Sequence, residues 1–185
     1  MNIELIMSAL SQEYPKFLSE REFQLTLSKE IAKLYPNAVD REVPFPQDEK
    51  KCLDLVVMID GKAIPIELKY VLKSQGATDL RSYAFLQDIA RIEKAKTVLP
   101  NSERGYCIFL TNAADLWEAK KGNVPALRDI YRIHEGRELS GHLQSALKGA
   151  EQGVTLAGKY TCHWNDYSRT NDETNGVFRY LCIEI

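Results

Sequence analysis

The dipeptide Asp60-Gly61 stands between two apolar, β-branched runs, Cys52–Ile59 and Ala63–Tyr70, and this arrangement constrains the fold more tightly than any other feature of the chain. Asp-Gly suits a two-residue hairpin turn, in which both central positions need positive φ. Two antiparallel strands follow, and the turn fixes their register: Ile59 faces Lys62, and counting outward sets Asp54 opposite Glu67. Alternation makes that pair non-hydrogen-bonded, with Cα atoms about 4.5 Å apart and both side chains on one face. Lys69, two residues beyond Glu67, shares the face. Pro65 lacks an N–H and can mark a bulge that shifts the register. At its own position, opposite Val56, the hairpin asks for no hydrogen bond.

Helical spacing surrounds the hairpin. Phe23, Leu27, Ile31 and Leu34 form an apolar stripe over Ser19–Leu34, with Ser19 as N-cap and Glu22 as its capping-box partner. Asp79–Val98 carries a second stripe through Leu80, Tyr83, Leu86, Ile89, Ile92 and Ala95, and residues 105–110 read as a buried strand after it. The core order is α-β-β-α-β. Beyond Thr111 the pattern predicts short helices over Val124–His134 and Leu139–Ala150, a polar aromatic loop over Tyr160–Asn175 with a strand before it, and a closing strand over Phe178–Ile185. With no internal repeat and no linker-like tract, the chain reads as one domain over 1–185.

Two carboxylates directly opposed between apolar runs repel one another and lose solvation. A hard divalent cation resolves both problems, since Mg²⁺ accepts one or two carboxylates, keeps waters and leaves room for a phosphate. The alternative is a solvated sheet end where Lys69 merely pairs with one acid. A third acid comes from the first predicted helix: Glu20 falls within its apolar arc and Glu30 at that arc's other margin. They are about 15 Å apart along the axis and cannot reach one ion together. Glu20, preceding Phe23 and Leu27 at core spacing, is the expected ligand and Glu30 the runner-up, while Glu22 is expected to cap.

Leu53-Asp54 followed by Ile66-Glu67-Leu68-Lys69-Tyr70, in an α-β-β-α-β frame, resembles the D…(E/D)-x-K signature of the PD-(D/E)XK nuclease superfamily. Ser19-Glu20-Arg21-Glu22-Phe23 resembles the opening of that superfamily's first helix. Leu53 stands where the motif name has proline, a variable position. The resemblance covers 19–112 and implies an α/β fold with a restriction-endonuclease-like core, a mixed sheet flanked by helices, and 113–185 packed on it as a C-terminal elaboration. It further implies a metal-dependent endonuclease acting on DNA in restriction, repair or mobile-element defence. Asp54 and Glu67, helped by the Leu68 carbonyl and Glu20, would hold Mg²⁺ or Mn²⁺, and Lys69 would orient the attacking water or stabilise charge on phosphate. Lys73, Tyr83, Gln87 and Arg91, the last three at four-residue spacing, are candidate nucleic-acid contacts. A non-catalytic interaction module that keeps the fold is the competing expectation.

Charge agrees with a local rather than a global polyanion surface. The chain carries a formal charge of −2, yet residues 62–96 hold 7 basic against 4 acidic side chains. The four cysteines lack zinc-site spacing and read as buried thiols. His134, His142 and His163 lack ligand-like partners, and Tyr160, Trp164, Tyr167 and Tyr180 read as core or subunit packing, as in a homodimer, with stacking on single-stranded nucleic-acid bases as the alternative. No apolar run is long enough to span a bilayer and no signal-like start is seen, so a cytoplasmic protein without membrane contact is expected.

Overall fold

The computed structural model describes residues 1–45, 48–119, 125–172 and 174–185. It is an α/β structure with a mixed six-stranded sheet flanked by helices. Two helices come first, α1 (Ile3–Glu13) and α2 (Glu20–Leu34), then β1 (Val39–Phe45), β2 (Asp48–Ile59) and β3 (Lys62–Val71). A 3-10 turn leads into α3 (Thr78–Val98) and β4 (Tyr106–Thr111). Short helices α4 (Ala114–Trp117) and α5 (Ala126–Asp129) precede β5 (Glu138–Leu143), β6 (Val154–Thr161), β7 (Trp164–Arg169) and β8 (Val177–Glu184). The large sheet runs β1-β2-β3-β4-β8-β7, and β5 pairs with β6 in a separate ribbon. Among the described residues only β3 and β4, joined through α3, are parallel; the other pairings are antiparallel.

The hairpin register is the one the turn dictates. Asp60 and Gly61 take φ of 52° and 77°, and the ladder runs from Ile59↔Lys62 to Leu55↔Ile66. Leu55, Val57, Ile64 and Ile66 pack under α1 and α2 with Phe23, Leu27 and Ile31. On the opposite face Leu53, Val56 and Ala63 join Phe85, Ile89 and Ile92 of α3, together with Leu156 of β6. Gly105, where β4 starts, is pressed against this layer; a Cβ there would lie 2.3 Å from Ile92 Cγ2.

Several expectations are corrected. An N-terminal helix precedes the core, capped by Asn2 and burying Ile3, Ile6, Met7 and Leu10. The edge strand β1 was not expected, because its central residues are exposed and polar and Pro44 sits in it. Within Leu139–Ala150, residues up to Leu143 form β5 rather than a helix; Gly141 at φ 67° falls where the β5–β6 register shifts. Of Val124–His134 only Ala126–Asp129 is helical, and Val124 lies outside the described residues. Trp164–Arg169 forms a strand, so the loop over Tyr160–Asn175 shrinks to its last residues. Cys107 and Cys162 are buried, but Cys52 is exposed. Trp164, Tyr167 and Tyr180 are buried packing residues.

Candidate active site

Chain regularity fails at one place, and the candidate residues gather there. Leu55 and Val57 face α2 while Leu53 and Val56 face α3, so the in-and-out alternation of β2 breaks at Asp54. Across from it on β1, Glu42 takes a left-handed conformation with φ 51° between the pairs Arg41↔Leu55 and Val43↔Leu53. The β2–β3 ladder ends at Leu55↔Ile66, one pair before Asp54 and Glu67 would meet. The backbone N–H of Leu68 donates instead to Asp54 Oδ2 at 2.7 Å. A side-chain carboxylate thus takes the place of a ladder acceptor, and the strands part around it. Gln24, on α2, fixes the other side of Asp54 by donating to its backbone oxygen at 2.9 Å.

Glu67 is 3% exposed and takes a bond from Arg91 Nη1 on α3 at 2.7 Å. Asp88, one turn earlier on α3 and also buried, lies 3.1 Å from Arg91 Nη2 through Oδ1 and 3.5 Å from Lys69 Nζ through Oδ2. That second oxygen is buried without a hydrogen bond. Glu20, in the first turn of α2, accepts from the Tyr70 N–H at 2.9 Å and stands 3.9 Å from Lys69 Nζ. Ser19 caps this helix by accepting from Glu22 N, and Glu22 reaches back to the Leu18 N–H. Glu20 is thereby left to point at β3.

Four carboxylates, Asp54, Glu67, Asp88 and Glu20, therefore surround two cations, Lys69 and Arg91. The deficit of positive charge appears in their proton affinities. Burial, then the charges of Asp54 and Asp88, hold the Glu67 carboxyl well above its ordinary range despite Arg91. Burial likewise pushes Asp88 up to about 6, with Lys69 and Arg91 opposing and Asp54 adding to the rise. Burial works to lower the Lys69 ammonium, but Asp88, Glu20, Asp54 and Glu67 together outweigh it and raise its affinity for the proton.

Asp54, Glu67, Lys69, Glu20 and Arg91 are brought together. Leu68 contributes its backbone there, while its side chain is in the core. Glu30 lies apart, paired with Lys33 at 2.5 Å. Tyr83, expected at a nucleic-acid surface, is buried instead; its hydroxyl donates to the Gly153 carbonyl and its ring packs on Tyr131. Gln87 is exposed beside it and donates to the Tyr83 hydroxyl. Lys73 is exposed in the 3-10 turn after β3. Asp88 and Gln24 were missed, although Asp88 had a signal: it falls three residues after Phe85 and four before Ile92, on the buried side of the helix.

Among the described residues no three Asp, Glu, His or Cys side chains already stand at ligating geometry. Arg91 and Lys69 lie between them. The donor set nevertheless fits a hard divalent ion, which needs only one or two carboxylates from the protein. Asp54 and Glu67 would supply these, and the four carboxylates of the cluster outnumber its two cations. Comparisons of the chain with protein-family models, with curated proteins and with solved structures find no match.

Proposed function

We propose that the chain is a Mg²⁺- or Mn²⁺-dependent endonuclease of the PD-(D/E)XK kind, hydrolysing DNA phosphodiester bonds at Asp54, Glu67 and Lys69. The observation that carries this reading is the parting of β2 and β3 around Asp54, which collects Glu67, Lys69, Glu20 and Asp88 with more acid than base. The order α2-β1-β2-β3-α3-β4, with β3 and β4 parallel, supports a restriction-endonuclease-like core. Asp54 and Glu67 would hold the ion, with Glu20 and the Leu68 carbonyl beside it. A divalent metal there supplies Lewis-acid stabilisation of the charge developing on phosphate and acidifies water. Lys69 orients the attacking water and meets charge on the phosphoryl oxygens, and Asp88 and Glu20 keep that ammonium protonated and in place. Arg91 holds the Glu67 carboxylate in register through one of its oxygens.

A second reading, an interaction module that keeps the fold without catalysis, is favoured by one feature: Arg91 and Lys69 already pair with the carboxylates. Supercoiled plasmid, single-stranded DNA and branched DNA incubated with the purified protein in Mg²⁺ or Mn²⁺ decide between them. The nuclease reading expects cleavage that EDTA stops and that Glu67→Ala lacks while remaining folded. Absence of cleavage on all three substrates in both metals contradicts it.

A further inference from the structure

One guanidinium is divided between two buried acids at the candidate site. Arg91 gives Nη1 to Glu67 Oε1 at 2.7 Å and places Nη2 3.1 Å from Asp88 Oδ1. Each carboxylate thus receives one arm of a fork whose strongest pairing puts both arms on a single carboxylate. The two contacts differ in origin. Asp88 and Arg91 stand three residues apart on α3 and are neighbours on one helix face whatever the sheet does, whereas Glu67 belongs to β3 and is reached across the helix–sheet interface. The acids are the fixed members: the side chains of Glu67 and Asp88 are 3% and 5% exposed, and that of Arg91 is 26% exposed. An arginine stem has several rotatable bonds, so the guanidinium can swing while the backbone stays in place.

Charge gives the two arrangements different uses. Asp54, Glu67, Asp88 and Glu20 stand against Lys69 and Arg91. While Arg91 rests on Glu67 it cancels one of the two carboxylates that a hard divalent ion would use, and a second cation brought to the same buried carboxylate is repelled at short range. Moved wholly onto Asp88, the same guanidinium neutralises an acid of its own helix and leaves Glu67 with its full charge. Asp54 takes no part in such a move, because its Oδ2 is held by the Leu68 N–H at 2.7 Å.

We infer that Arg91 stands in for a divalent cation at Glu67, and that guanidinium and ion exchange there: Arg91 gives up Glu67 and pairs through both arms with Asp88 when an ion binds. This rests on the metal site of the reading above, but not on DNA or on cleavage. The exchange regulates how readily the site loads. Whatever strengthens the Arg91–Glu67 pair weakens ion binding, and ion binding weakens the pair by the same factor. Asp88 is then a positioning residue that acts through Arg91, since it receives the guanidinium that Glu67 releases.

Mn²⁺ titrated into metal-free protein at pH 7.5, with the unbound ion read from its electron paramagnetic resonance signal, tests this without any nuclease assay. The ion counted is the one whose binding Glu67→Gln removes. Arg91→Met should bind Mn²⁺ about tenfold more tightly than wild type, and Asp88→Asn should bind it about fivefold more weakly. Asp88→Asn added to Arg91→Met should change the affinity less than twofold, because no guanidinium is left to receive. The inference is overturned if Arg91→Met binds no more tightly than wild type, or if Asp88→Asn costs the same factor in both backgrounds, which would make Asp88 a remote charge only. In wild type, Mg²⁺ should shift the Arg91 Nε–H resonance, identified by its loss in Arg91→Lys. A resonance that stays in place while Mg²⁺ binds overturns the exchange even where Arg91→Met does not fold. Absence of Mn²⁺ binding in wild type and Arg91→Met alike refutes the metal site itself, whereas binding that Arg91→Met leaves unchanged refutes this inference alone. A protein that shows the exchange yet cleaves no DNA refutes the nuclease reading alone.

Discussion

Two acids on α3, five residues apart, sit in opposite electrostatic situations. Glu93 accepts from the Ala157 N–H, the Gly158 N–H and the Tyr160 hydroxyl, at 2.9, 2.7 and 2.7 Å. Every one of those donors belongs to β6, so the carboxylate ties the small ribbon to the helix. Asp88 has one oxygen 3.1 Å from Arg91 and the other 3.5 Å from Lys69, with no neutral donor among the described residues, in a group where acids outnumber bases. Both are carboxylates packed inward from the same helix, and the difference lies in their partners. A carboxylate supplied with neutral donors is at home as an anion and adds stability. One surrounded by other carboxylates is costly as an anion and gains from a proton or a cation. Structure and chemistry are separated on this helix by the count of donors.

The largest effect expected from breaking this contrast is on catalysis. Asp54→Asn, which keeps an oxygen for the Leu68 N–H, should lower plasmid cleavage about 1,000-fold, near 4 kcal/mol of transition-state stabilisation, with little change in melting temperature. Glu93→Ala should do the reverse. A variant set in which both properties fall together at both positions would erase the distinction.

Asp88 comes next, and its effect is on stability. Its carboxyl is raised from 3.8 to about 6 in the folded chain. A raised carboxyl contributes stability that is complete below pH 3.8 and is lost as pH climbs through 6. At pH 7.5 in EDTA the ionised group therefore costs about 3 kcal/mol. Asp88→Asn should melt higher than wild type there, by on the order of 5–10 °C, with the gap closing as the pH approaches 4. A gap of the same size at both pH values would contradict the assignment of cause.

Glu93→Ala, which strands two backbone donors and a hydroxyl at a partly exposed edge, should cost about 2 kcal/mol. Thermal unfolding of the variant measures it directly. The smallest effect belongs to Lys62→Ala, whose partner Glu103, 2.8 Å away, is also exposed; no change in melting temperature beyond experimental scatter is expected for such a pair. Between these extremes, Glu20→Gln should slow cleavage while Glu30→Gln should not, because Glu30 is occupied by Lys33 far from Lys69.

How much of this was legible beforehand follows from how local each feature is. The Asp60-Gly61 turn fixes five strand pairs by arithmetic, and the same arithmetic brings Asp54 toward Glu67. That the ladder stops at Leu55↔Ile66 depends on Gln24 and on the left-handed Glu42, which come from α2 and β1 and are not written into the hairpin. Glu20 was legible because Ser19 caps the helix and sets the acid one turn ahead of Phe23. Asp88 was hidden by the habit of reading α3 through its apolar residues alone, although its spacing from Phe85 and Ile92 places it inward. Strands β1 and β7 were obscured for a different reason: both are edges of the sheet, and edges carry polar residues that resemble loops.

The central claim is that the acids at the parting of β2 and β3 hold a divalent cation, and a crystal soaked in Mn²⁺ and measured at the manganese absorption edge tests it most directly. The account predicts an anomalous peak between the Asp54 and Glu67 carboxylates, with Glu20 nearby and Arg91 drawn away from Glu67. Density that instead keeps Arg91 on Glu67 and Asp88, with no manganese between the two strands, would contradict it.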